Sequence, residues 1–67
     1  MITIRCNGQN RQVDDGTSVA QLVAELGIVN RKFAVERNRE VVSRDRLEQT
    51  LLEDGDELNI VTLVGGG

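Results

Sequence analysis

The chain opens on an alternation. Ile2, Ile4 and Cys6 share one face and Thr3 and Arg5 the other, the period of a half-buried strand. Asn7-Gly8 follows. Both positions of a type I′ hairpin turn need positive φ, which Asn and Gly adopt most readily. Gln9 to Val13 then returns as a second strand, closed by Asp14-Asp15-Gly16. Beyond it the spacing changes. Val19, Leu22, Val23 and Leu26 recur every three or four residues, one apolar stripe on a helix. Thr17 or Ser18 offers an N-cap hydroxyl, and Gly27 suits the left-handed position past the helix end. At about nine residues such a helix does not stand alone in water. It must pack on something, and the hairpin is the nearest apolar surface.

Ile28 to Lys32 reads as a connection, Phe33 to Arg37 as a third strand, and Glu40 to Val42 as a short fourth strand after an Asn38-Arg39 turn. Ser43 is placed to cap a turn of helix running through Leu47 to Leu51 or Leu52. Asp54-Gly55-Asp56 is a turn, and Glu57 to Val64 the final strand. This order predicts an α+β fold: a mixed sheet of about five strands with one main helix across one face, the β-grasp or ubiquitin-like roll. In that roll the last strand runs centrally, beside the first. Residues 1–64 then form a single domain, and 65–67 a flexible tail. Along the last strand Leu58, Ile60, Thr62 and Val64 point one way, and Asn59, Val61 and Leu63 the other. One helix covers one face only. Val61 and Leu63 therefore either form an exposed apolar patch, of the kind that marks partner surfaces, or pack under the loop at 43–52.

Three glycines, Gly65-Gly66-Gly67, follow the strand. Glycine carries the largest ordering cost of any residue and packs nothing, so these add neither core nor regular structure. They offer a thin backbone that reaches roughly 10 Å beyond the strand and carries a free carboxylate into a narrow channel of another protein. Such a tail also occurs as frayed chain. Against that stand the apolar strand before it and the expectation that nothing follows it.

Composition narrows the functions open to the chain. Its 67 residues, 39% apolar and 28% charged, suit one small globular domain with no room for a deep cleft. There is one cysteine and no histidine. The usual zinc and nucleophile–base arrangements are thus excluded within the chain, and so is the commonest general base near neutral pH. No apolar run approaches a membrane span and no signal peptide opens the sequence, so the expected location is cytoplasmic. Net charge is −3, unevenly spread. Residues 30–46 hold six basic and three acidic side chains; residues 47–67 hold Glu48, Glu53, Asp54, Asp56 and Glu57 with no basic residue. An acidic approach to the tail repels nucleic acid and favours a basic protein partner. The middle arginines alternate with acids and lack Trp or Tyr, which reads as a solvated surface. The Asp14-Asp15 and Asp54/Asp56 pairs flank glycines at turns, where Asp is favoured for local hydrogen bonding. Cys6, on the inward face of a strand, reads as a small buried hydrophobe.

Taken together, the Asn7-Gly8 hairpin, the helix from Ser18 to Leu26, the segment Ala34-Val35-Glu36-Arg37-Asn38, the run Asp54-Gly55-Asp56-Glu57-Leu58 and the terminal Gly66-Gly67 resemble the small sulfur carrier proteins of thiamine biosynthesis (ThiS-type). The resemblance covers the whole chain. Ser43 departs from it, since many relatives carry Pro there, and only a loop is affected.

What the resemblance implies is a carrier rather than an enzyme. An E1-like adenylyltransferase (ThiF-type) would spend ATP to adenylate the Gly67 carboxylate. A persulfide-bearing donor, such as a cysteine desulfurase system, would turn it into a thiocarboxylate. A thiazole synthase (ThiG-type) would take the sulfur. The carrier itself would bind no cofactor, metal, nucleic acid or membrane. Gly65 and Gly66 would thread the partner, where a Cβ would crowd the passage. Val61, Leu63 and Val64 would anchor the strand, with Asp54, Asp56 and Glu57 as charge contacts. Three other readings share the fold: a molybdopterin-synthase-type sulfur carrier, a ubiquitin-like protein modifier, and a non-covalent β-grasp interaction module. The first tends to be longer and Pro-rich before its glycines, and this chain has no proline.

Overall fold

The computed structural model describes residues 1–28 and 32–62. Five strands and one α-helix are present: β1 (Ile2–Cys6), β2 (Gln9–Val13), α1 (Val19–Glu25), β3 (Phe33–Arg37), β4 (Glu40–Val42) and β5 (Glu57–Thr62). They form one sheet in the order β2-β1-β5-β3-β4. β5 is parallel to β1, with Cys6 beside Leu58, and antiparallel to β3, with Ala34 beside Val61. This is the β-grasp arrangement. The expected extension of β5 through Leu63 and Val64, and the tail Gly65, Gly66 and Gly67, lie outside the described residues.

Local chemistry sets the elements. Asn7 and Gly8 take φ of 51° and 83°, the left-handed pair a type I′ turn requires. Ser18, rather than Thr17, caps α1. Its hydroxyl accepts from the Gln21 amide at 3.1 Å, and the Gln21 side chain accepts from the Ser18 amide at 2.9 Å, a complete capping box. The other first-turn amides are satisfied from outside the helix: Val19 N–H donates to the Thr50 carbonyl and Ala20 N–H to that of Leu47. α1 runs from Val19 to Glu25 between caps at Ser18 and Leu26, and Gly27 at φ 75° takes the left-handed position past its end, as the spacing predicts.

The segment after β4 is shorter in its helical content than expected. It forms a single 3-10 turn, Arg44–Arg46, and the Ser43 side chain makes no cap. The Thr50 amide and hydroxyl both close onto the Arg46 carbonyl, and the Leu47 and Thr50 carbonyls, which a longer helix would use, are taken by the amides of α1.

Ile4, Cys6 and Val13 from the hairpin, Val35 from β3, and Leu58 and Ile60 from β5 meet Val19, Leu22 and Val23 of α1 between sheet and helix. Leu47 and Leu52 close the side. The loop at 43–52 thus lies on the helix side of the sheet, and among the described residues the opposite face is open. No helix among the described residues is long and apolar enough to cross a membrane.

Candidate functional site

The feature to be built is the exit from β5. Pairing alternates along this strand. Asn59 and Val61 sit opposite Glu36 and Ala34 of β3. On the other side Leu58 accepts from Asn7 N–H at 2.9 Å, and there β1 turns away into the hairpin. The Asn7 side chain takes over: Oδ1 accepts from Ile60 N–H at 2.8 Å and Nδ2 donates to the Ile60 carbonyl at 3.2 Å. Sheet-like bonding thereby continues one residue pair past the end of β1.

Val61 lies on the open face, 57% exposed. That decides between the two expectations for it, because the loop at 43–52 packs against α1 and never reaches this face. Ala34 is its direct neighbour on β3, and Val41, opposite Glu36 on β4, is exposed nearby. The sequence pattern singles out Val61 and Leu63 for this face, and Leu63 lies outside the described residues. Ala34 and Val41 have the right alternation, but only the pairing register places them beside Val61.

The acidic residues part company. Asp54 is exposed, and its Oδ1 accepts from Thr3 N–H at 2.8 Å. Glu57 is exposed on the open face opposite Arg5. Asp56 is 4% exposed and turned inward. Its Oδ2 accepts from Arg37 Nε and from Glu53 N–H, both at 2.8 Å, and its Oδ1 accepts from Asn38 Nδ2 at 3.0 Å. The expected charge contact to a partner is corrected here for Asp56, since its oxygens are occupied within the chain. Burial alone would push this carboxyl up. The bonds from Arg37, the Glu53 amide and Asn38, with the Arg37 charge, outweigh that and hold it below its usual 3.8. The same contacts raise Arg37. Glu57 opens β5, about 17 Å along the strand from Thr62, and Asp54 and Asp56 stand just before it. A partner touching both ends must follow the whole strand.

The arginines are not uniformly solvated either. Arg37 also reaches Glu53 at 3.0 Å, and the Arg44 guanidinium stacks 5.1 Å from the Phe33 ring centroid. Cys6 is buried, and burial pushes its thiol up, only partly countered by Arg11. Such a thiol is a poor nucleophile. Among the described residues no three His, Cys, Asp or Glu side chains gather to hold a metal ion.

Comparison with known proteins covers nearly the whole chain. A family model described as the ThiS family matches residues 4–67. A thiazole synthase from Paramagnetospirillum magneticum is 44% identical over 61 residues, which are 91% of this chain and 19% of that protein. The chain thus spans about a fifth of the length of the thiazole synthases it matches. The sulfur carrier protein ThiS of Bacillus subtilis is 39% identical over 54 residues, 81% of this chain and 80% of that one. The crystal structure of a thiamine biosynthesis protein (ThiS) from Geobacter metallireducens superimposes with a TM-score of 0.81 at 29% identity, covering 98% of this chain and all of that one.

Proposed function

This chain belongs to the ThiS family, and we propose that it is a sulfur carrier whose Gly67 carboxylate is adenylated and then converted to a thiocarboxylate that donates sulfur for thiazole formation in thiamine biosynthesis. The observation that carries the reading is the position of β5. It lies between β1 and β3 in the middle of the sheet, so its direction is fixed from both sides. Residues 63–67 continue from that fixed end. A rigid strand leading into glycines delivers a carboxylate and little else.

The chemistry needs that delivery. A carboxylate resists nucleophiles, being an anion with a poor leaving group. Its attack on the α-phosphorus of ATP expels pyrophosphate and leaves an acyl adenylate. A persulfide sulfur then displaces AMP, and cleavage of the S–S bond by a thiol leaves the thiocarboxylate. None of these steps calls on a side chain of the carrier, which acts as cargo rather than as catalyst. Residues 1–64 serve as the handle and 65–67 as the part threaded into the partner.

The partners follow from the steps: an E1-like adenylyltransferase (ThiF-type), a persulfide donor such as a cysteine desulfurase system, and a thiazole synthase (ThiG-type) as acceptor. The matches to thiazole synthases, in which a segment like this chain forms about a fifth of the length, support the last of these. The docking face is Val61 with Ala34 and Val41 beside it, and Leu63 and Val64, which follow in sequence, serve as further partner contacts. Asp54 and Glu57 are left as charge contacts at the far end of β5. The chain works in the cytoplasm, where ATP and the donor are available. ATP–pyrophosphate exchange by an E1-like adenylyltransferase tests the reading. The full chain supports exchange and a chain lacking Gly66 and Gly67 does not; equal exchange by both would overturn it.

A further inference from the structure

Asn7 does two things that are chemically separable. As the first residue of the hairpin turn it must hold a φ of 51°, a demand Gly meets without cost and Asp tolerates. Its side chain makes a second, unrelated contact 53 residues away. One amide group both accepts from Ile60 N–H and donates to the Ile60 carbonyl. Only a carboxamide of this reach presents a donor and an acceptor side by side, as a neighbouring strand's backbone does. Asp lacks the donor and Gly lacks both. Turn chemistry alone does not require Asn over Gly here, so the tether is what the side chain adds.

The contact sits at a particular place. β1 pairs with β5 only through Leu58, whereas β3 pairs with it as far as Thr62. Past Leu58, the Asn7 side chain is what holds β5 on its β1 side among the described residues. Ile60 is two residues before Thr62, from which the chain continues towards Gly67.

We propose that Asn7 is a positioning residue for the transfer at Gly67: its carboxamide fixes the direction in which β5 delivers the reacting carboxylate. The role rests on the sulfur-carrier reading above. Asn7 touches neither ATP nor the carboxylate and acts only through Ile60.

The test uses the full chain with an E1-like adenylyltransferase, reading kcat and KM for ATP–pyrophosphate exchange. Asn7→Gly keeps the turn and removes the tether. Asn7→Asp keeps the turn and the acceptor but sets a carboxylate against the Ile60 carbonyl. Leu52→Val, a core change away from β5's exit, serves as a control of lowered stability, and all proteins are assayed well below their melting temperatures. The expected result is a fall in kcat of about tenfold for both Asn7 variants. KM should stay close to wild type, since the open face is intact, and Leu52→Val should keep full kcat. Unchanged kcat in Asn7→Gly would overturn the proposal. So would a rise in KM alone, or a matching loss in Leu52→Val, which would reduce Asn7 to docking or to stability. Failure of the wild-type chain to be activated, with an enzyme active on its own carrier, would instead overturn the sulfur-carrier reading.

Discussion

Replacing Asp56 with Ala should unfold much of what holds the start of β5. The side chain accepts three hydrogen bonds, from Arg37 Nε, Glu53 N–H and Asn38 Nδ2, at 2.8 to 3.0 Å. It is almost fully buried, so removing it strands three donors. Losing one partner of a buried, hydrogen-bonded charge pair costs about 3–5 kcal/mol. Here the lower end applies, because the Arg37 side chain is a quarter exposed and retains Glu53. We therefore expect about 3 kcal/mol. A chain of this length has a total stability of roughly 3–10 kcal/mol, so the variant should melt at least about 12 °C lower. Urea unfolding followed by circular dichroism reads the loss directly. A loss below about 1 kcal/mol would refute the argument, since it would mean that the stranded donors rehydrate freely. The pH dependence supplies a second check. Asp56 is held below 3.8 in the folded chain, so the unfolded state binds the proton first. Its contribution is complete above the ordinary carboxylate range and is lost as pH falls through the depressed folded value. Asp56→Asn should remove that part of the acid-side slope.

Three further outcomes follow from single residues. Ser18→Ala removes the hydroxyl half of the capping box and should cost about 1 kcal/mol in urea unfolding, with Ser18→Asp recovering most of it. Val61→Asp should leave the melting temperature within a few degrees, because the side chain is more than half exposed, while KM for the activating enzyme rises about tenfold. An unchanged KM would remove Val61 from the docking face. Cys6→Ser should still accept sulfur at Gly67, and in the wild type a thiol reagent should label Cys6 only slowly below pH 9, since burial raises its pKa.

Much of the fold is legible because its signals are local. Asn7-Gly8 declares the hairpin, the stripe from Val19 to Leu26 declares the helix, and alternation from Leu58 onward gives β5 its two faces. Thr17 and Ser18 look alike as caps until Gln21, three residues after Ser18, completes the box. The missed features are long-range. Asp54 and Asp56 flank the same glycine, yet one faces solvent and the other meets Arg37 and Asn38, 19 and 18 residues away. Nothing in the local spacing distinguishes them. Arg37 read as one of several solvated arginines for the same reason. The turn alone accounts for Asn7 locally, and its second contact lies 53 residues along the chain. Ala34 and Val41 join Val61 only through strand register. The proposed reactive end, Gly67, is read from residue type and family, and the proposed chemistry calls on no side chain of this chain.

The measurement that tests the central claim most directly is the intact mass of the chain after incubation with ATP, an E1-like adenylyltransferase and a persulfide donor. The account predicts that one oxygen of the Gly67 carboxylate is replaced by sulfur, that omitting ATP prevents it, and that deleting Gly67 abolishes it. An unchanged mass, with an enzyme shown to be active on its own carrier, would contradict the account.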